Sequence, residues 1–127
     1  MREPKTAPAA PVIFPLAGKR VLVAGHRGMV GSAVVRRLGS AGCTVLTAGR
    51  ADADMRRQDA VEALLHKAKP DALFVTAATV GGILANSTRP AEFLYDNLMI
   101  AGNLIEAARQ TGVKKLLYLG SSCIYPR

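Results

Sequence analysis

Short apolar runs alternate along this chain with stretches in which apolar residues recur every three to four positions. Val21–Ala24 is unbroken and apolar, and predicts a buried strand. Val30, Val34 and Leu38 then recur at helical spacing, with Arg36, Arg37 and Ser40 turned away and Gly42 as a stop. Thr44–Ala48 predicts a second strand. Val61, Leu64, Leu65 and Ala68 mark one face of a second helix, ended by Pro70. Leu73, Phe74, Val75 and Thr76 predict a third strand, followed by a loop around Gly81 and Gly82. Pro90 opens a long helix through about Gln110, stopped by Gly112. Leu116–Leu119 predicts a fourth strand that runs into Gly120-Ser121-Ser122-Cys123.

Strands joined by helices require a parallel sheet with right-handed crossovers, an α/β fold. The expected strand order is 3-2-1-4, with a ligand crevice at the carboxyl ends of strands one and four, where the order reverses. That would set the turn after the first strand beside the Gly120–Cys123 turn.

The turn after the first strand is Gly25-His26-Arg27-Gly28-Met29-Val30-Gly31. A glycine-rich turn between strand and helix binds the diphosphate of a dinucleotide: one glycine turns the chain, one admits the phosphate, and one lets helix pack on strand. The helix start adds free N–H groups and the positive end of its dipole. The expected architecture is therefore a partial NAD(P)-binding Rossmann fold of about four strands. A glycine turn used only for packing is the alternative. Residues 1–18 read as a flexible leader rich in Pro and Ala, disordered to about Phe14. Residues 19–127 read as the amino-terminal part of the cofactor domain.

In the long helix, Phe93, Leu94, Leu98, Ile100, Ala101, Leu104, Ile105, Ala107 and Ala108 cover one half of the circumference, and Asn97 falls at its centre. A buried amide must find partners. Asn97 either ties down a nearby loop backbone or orders the cofactor turn. Tyr95 and Met99 lie on the opposite half.

After the second strand an acid would hold the ribose 2′-hydroxyl of NAD, whereas an Arg would accept the 2′-phosphate of NADP. The strand ends Thr47-Ala48-Gly49-Arg50, so the first charge is Arg50, and Arg27 can approach the same phosphate. The reading is NADP(H), with Asp52 as counter-evidence and Asp54 on the adenine side.

The chain has 127 residues, half of them apolar, and a net charge of +8. The size fits one modest domain. No apolar run approaches the roughly 18 residues that span a bilayer, which argues against a membrane protein. The basic residues are scattered in sequence and no Trp is present, so basic-aromatic interleaving for single-stranded nucleic acid is missing. Cys43 and Cys123 match no metal spacing and fit a reducing, cytoplasmic setting. Cys43 and His66 read as packing and solvated surface, and His26 as support for its turn.

The stretches VAGHRGMVGSAVVRRL, AATVGGILANSTRPAEFLYDNLMIAGNLIEAA and KKLLYLGSSCIYPR resemble the GDP-L-fucose synthase family of extended short-chain dehydrogenases/reductases, over about Leu16 to Arg127. The resemblance implies an epimerase/reductase that acts on GDP-4-keto-6-deoxymannose at C3 and C5 and reduces C4 from NADPH. It implies that Gly25–Gly31 hold the diphosphate and Arg50 the 2′-phosphate. Leu119, Gly120, Ser121 and Ser122 would line the nicotinamide side. Ser121 matches the catalytic serine, and Cys123 the acid/base of epimerisation. The resemblance also implies a homodimer, formed through the long helix together with the helix that bears the family's tyrosine.

The chain also departs from the family. Tyr95 is followed four residues on by Met99, and Tyr118 by Ser122, so the superfamily's Tyr-x-x-x-Lys pair is not found. Thr79 replaces a common Lys or Arg, and Arg57 a common acid. These 127 residues alone are expected neither to reduce nor to epimerise. The competing readings are a non-catalytic NADP-binding module, a related NAD-dependent sugar-nucleotide epimerase or dehydratase, and a basic nucleic-acid binder.

Overall fold

A computed structural model describes residues 13–121. Five-residue β1 (Arg20–Ala24) leads into α1 (Met29–Leu38), β2 (Thr44–Ala48) and α2 (Gln58–Ala68). Then follow β3 (Ala72–Val75), α3 (Ile83–Thr88), α4 (Pro90–Gln110) and β4 (Lys115–Tyr118). All pairings are parallel. The α/β reading holds, and the predicted strands fall within a residue of the observed ones. The loop read around Gly81 and Gly82 contains one unforeseen short helix, α3, which begins right after Gly82.

The strand order is β2-β1-β3-β4, not 3-2-1-4. Strand apolarity explains the correction. β1 is buried from Val21 to Ala24, and β3 is buried at Ala72, Leu73 and Val75, so these two take the centre. β2 carries exposed Thr44 and Thr47 and suits an edge, as does β4, exposed at Lys115, Leu117 and Tyr118. Only α2 joins β2 to β3, and this crossover carries the chain back past β1. The reversal therefore falls between β1 and β3.

Alternation along β1 feeds two cores. Leu22 and Ala24 face α2 and α4 through Val61, Leu65, Ile100 and Leu104. Val21 and Val23 face α1 through Val34, Val35 and Leu38. Phe14 and Leu16 pack on this second core, so the folded body begins before the expected boundary at residue 18; residues 1–12 lie outside the described ones. The apolar half expected on α4 is only partly buried. Ile100, Leu104, Ala107 and Ala108 form the covered stripe, while Leu94 and Leu98 stay 71% and 64% exposed. Among the described residues no helix is long and apolar enough to cross a membrane.

Candidate functional site: a glycine-lined cleft at the strand reversal

A cleft of about 590 Å³ opens where the carboxyl ends of β1 and β3 diverge. Gly25, Arg27, Gly28, Met29, Val30 and Gly31 form one wall. Gly49, Arg50 and Asp54–Arg56 form the second, and Thr76–Val80 the third, with Ile100 of α4 at the back.

The three glycines have separable jobs. Gly25 sits at φ +88°, and a Cβ there would lie 2.6 Å from Ala77 Cα. It serves both the turn and the approach of β3. A Cβ on Gly31 would run into the Gly25 carbonyl and lie 2.7 Å from Thr76 Oγ1, so α1 can approach the sheet only without a side chain there. The Thr76 hydroxyl meanwhile donates to the Ala24 carbonyl at 2.7 Å. At Gly28 the nearest atom to a Cβ is 3.4 Å away, so the missing side chain leaves open space in the cleft. Gly28 is also the N-cap of α1, with no side-chain cap and no acid in the first turn. The first intrahelical bond runs from Ser32 N to Gly28 O at 2.9 Å, which leaves the amides of Met29, Val30 and Gly31 without helical partners. Such an uncapped, glycine-opened helix start suits an anion.

Two asparagines on α4 hold the other walls. Asn97 Oδ1 accepts from Thr79 N at 2.8 Å, and its Nδ2 donates to Thr79 O at 2.9 Å. Of the two readings of Asn97, the loop tie is the observed one, and the loop it ties lines the cleft. Asn103, buried, donates to Met55 O at 3.1 Å and so fixes the β2–α2 loop. It lies just outside the half of α4 that the apolar residues mark, so the periodicity gave no signal for it. Asp96 links the two walls: it accepts from Thr79 Oγ1 at 3.0 Å and pairs with Arg56 at 3.4 Å.

The charges at the tip of β2 are unequally committed. Asp52 Oδ2 accepts from Gly49 N at 2.8 Å. Asp54 takes the Arg56 guanidinium and backbone N–H at 2.9–3.0 Å. Those three bonds, the guanidinium's foremost, pull the Asp54 carboxyl down to about 2. Arg27 and Arg50 both line the cleft and form no ion pair with another described residue. Arg56, Met55 and Thr76 belong to the cleft and were not singled out from sequence as site residues, whereas Ala77–Val80 fall in a stretch that carries the family resemblance and Thr79 was noted there only as a departure.

His26 stands behind the turn, its ring packed against Gly49, and its Nδ1 is buried without a hydrogen-bond partner among the described residues. Leu119, Gly120 and exposed Ser121 follow β4. Leu119 N donates to Val75 O at 3.2 Å, so β3 stands between this turn and β1, and the expected side-by-side placement of the two turns is replaced by a gap of one strand. Ser122 and Cys123 lie outside the described residues. Among the described residues no group of three potential metal ligands occurs.

A parallel sheet with helices on both faces and a glycine turn at its strand reversal defines a Rossmann-like α/β fold. The chain belongs to the NAD dependent epimerase/dehydratase family, whose sequence model matches residues 21–127. It is 55% identical over 115 residues to the GDP-L-fucose synthase of Sinorhizobium fredii, covering 91% of this chain and 37% of that protein. It is 48% identical over 110 residues to GDP-L-fucose synthase of Escherichia coli, covering 86% of this chain and 34% of that protein. The chain thus spans about a third of the length of these relatives. Among solved structures, a GDP-mannoheptose C4 reductase from Campylobacter jejuni with NADP bound superposes with a TM-score of 0.80 at 35% identity, over 86% of this chain and 35% of that one. A GDP-L-fucose synthetase from Naegleria fowleri bound to NADP gives a TM-score of 0.75 at 28% identity, over 91% of this chain and 37% of that one.

Proposed function

We propose that this chain is the cofactor-binding portion of a cytoplasmic GDP-sugar epimerase/reductase of the GDP-L-fucose synthase type, and that its cleft takes NADP(H). The observation that carries the cofactor is the state of the charges at the β2 tip. Of the nearby acids, Asp54 is spent at both oxygens on Arg56 and Asp52 commits one oxygen to Gly49 N, while Arg27 and Arg50 are not ion-paired with any described residue. An acid available for a ribose 2′-hydroxyl is what NAD would need; two available guanidinium forks are what a 2′-phosphate needs.

In this reading Gly28 and the amides of Met29, Val30 and Gly31 receive the diphosphate, and Arg50, with Arg27, the 2′-phosphate. When bound, the dinucleotide supplies the hydride for the C4 ketone of GDP-4-keto-6-deoxy-D-mannose. Ser121 stands at the carboxyl end of β4, on the same edge of the sheet as the cleft, where its hydroxyl would hydrogen-bond the ketone. Cys123 would move the protons alpha to that ketone during epimerisation at C3 and C5. A thiol suits this work when its site tunes it toward neutrality. The complete enzyme would pair as a homodimer.

Calorimetry of the chain with NADPH and NADH tests the cofactor assignment. NADPH should bind more tightly, and Arg50→Gln should weaken NADPH by about 10- to 100-fold, the worth of a charged hydrogen bond, while leaving NADH unchanged. Tighter binding of NADH would favour the NAD-dependent reading. No heat with either nucleotide would refute cofactor binding by this cleft.

A further inference from the structure

The charge that is scattered in sequence is gathered in space. In this topology the amino ends of the strands and the carboxyl ends of α1, α2 and α4 share one end of the body, opposite the cleft. Lys19, Arg36, Arg37, Lys67, Lys69 and Lys115 stand there, and none forms an ion pair with another described residue. Arg20, Arg109 and Lys114 join them, so this end holds nine of the 14 Lys and Arg among the described residues but, in Asp71 and Glu106, two of their eight acids. The rest of the described body is close to neutral.

Helix dipoles account for part of this. Arg36, Arg37, Lys67 and Arg109 lie in last turns, where a cation is favoured. The dipoles also favour Lys69, the C-cap of α2, but do not account for Lys19 and Lys115, which belong to no helix. Lys69 occupies left-handed backbone at φ 43°, a conformation in which glycine would be less strained.

We propose that this end is a docking face for an anionic lipid surface. The cations are distributed around a broad end with helices on both sides of the sheet, not along a groove. The helix ends that face outward are carboxyl ends. Their carbonyls disfavour the close phosphate coordination that helix amino termini give to nucleic acid, and none of the nine residues is accompanied by an exposed aromatic platform for bases. A diffuse layer of lipid charge needs neither contact. It attracts each Lys or Arg near the surface separately, and the attraction falls off within a Debye length. The docked orientation leaves the cleft facing solution, so the face is independent of what the cleft binds.

Co-sedimentation of the full 127-residue chain with phosphatidylcholine vesicles, with and without phosphatidylserine, tests the face. Binding should require phosphatidylserine and weaken with added salt. It should fall roughly fivefold for each cation removed in Lys67→Gln and Lys115→Gln, and Arg27→Gln at the opposite end should leave it unchanged. Lys69→Gly separates charge from folding: partition should fall while thermal stability is kept, because glycine relieves the backbone. Equal binding to neutral vesicles would overturn the proposal, as would wild-type partition by the Lys67, Lys69 and Lys115 variants. Tighter binding to a DNA duplex than to phosphatidylserine vesicles at the same salt would assign the face to nucleic acid instead.

Discussion

Replacing Asn97 by alanine removes two hydrogen bonds at once from one wall of the cleft. The amide matches both the N–H and the C=O of Thr79, at 2.8 and 2.9 Å, in a part-buried setting. Each such bond contributes about 1 kcal/mol net, and a backbone group left unpaired away from water costs about 1–3 kcal/mol. Thr79 lies next to the exposed Val80, so the released loop can turn toward water and recover part of this loss. About 2 kcal/mol is the expected cost. Because Thr79 and Val80 line the cleft, the loss should appear in ligand binding as well as in stability. A ligand that needs the wall in place must reorder it, and 2 kcal/mol corresponds to about a 30-fold weaker Kd. Asn97→Asp sharpens the test. It keeps an acceptor for Thr79 N–H but sets a carboxylate against Thr79 O and near Asp96, so at neutral pH it should be at least as harmful as alanine. Urea unfolding gives the stability change, and calorimetry with NADPH gives the Kd. Wild-type values for both in Asn97→Ala would refute the claim that this amide holds the wall. An aspartate variant milder than alanine would show that the bond from Thr79 N–H outweighs the repulsion a carboxylate meets at Thr79 O and Asp96.

Two further outcomes separate packing from binding. Gly31→Ala drives a methyl into the Gly25 carbonyl and Thr76 Oγ1, and should destabilise the fold by about 1–3 kcal/mol. Gly28→Ala should fold normally, since its Cβ meets nothing nearer than 3.4 Å, yet weaken NADPH by occupying the cleft; equal thermal shifts for the two would contradict this division. On the acid side, Asp54 and Glu106 are both held down to about 2 by neighbouring guanidinium groups, Arg56 and Arg109 respectively. A carboxyl depressed in the folded state gives stability that is complete above its unfolded value and lost as pH falls through the folded one. Melting temperature should therefore be insensitive to these groups above about pH 4.5 and decline toward pH 2. Asp54→Asn should flatten part of that decline, and an unchanged acid limb would show that the Arg56 pairing contributes nothing to folding.

Much of the architecture was legible in one dimension because it is set locally. The apolar runs at Val21–Ala24 and Leu73–Val75 mark buried strands whatever lies around them. Pro90 and Gly112 bracket α4 through backbone geometry alone. The Gly25–Gly31 turn announced an anion site because strand, turn and helix start are contiguous in the chain. Asn97 was conspicuous as an amide in an apolar half, although its partner, Thr79, was not.

The tertiary structure decided what depends on residues distant in sequence. Pairing order is such a property: β3 lies beside β1 because the two most apolar strands compete for the centre, and that competition is invisible within either strand. The same holds for Asp52 and Asp54, which looked available in sequence and are occupied by Gly49 and Arg56 once the β2–α2 loop closes. It holds for the lysines and arginines, which a parallel topology collects at one end because every helix returns the chain to the same side. Periodicity and turn chemistry thus determined every described element but α3, and the glycine turn. Which elements became neighbours, and which charges stayed available, followed from the free energy of packing the whole chain.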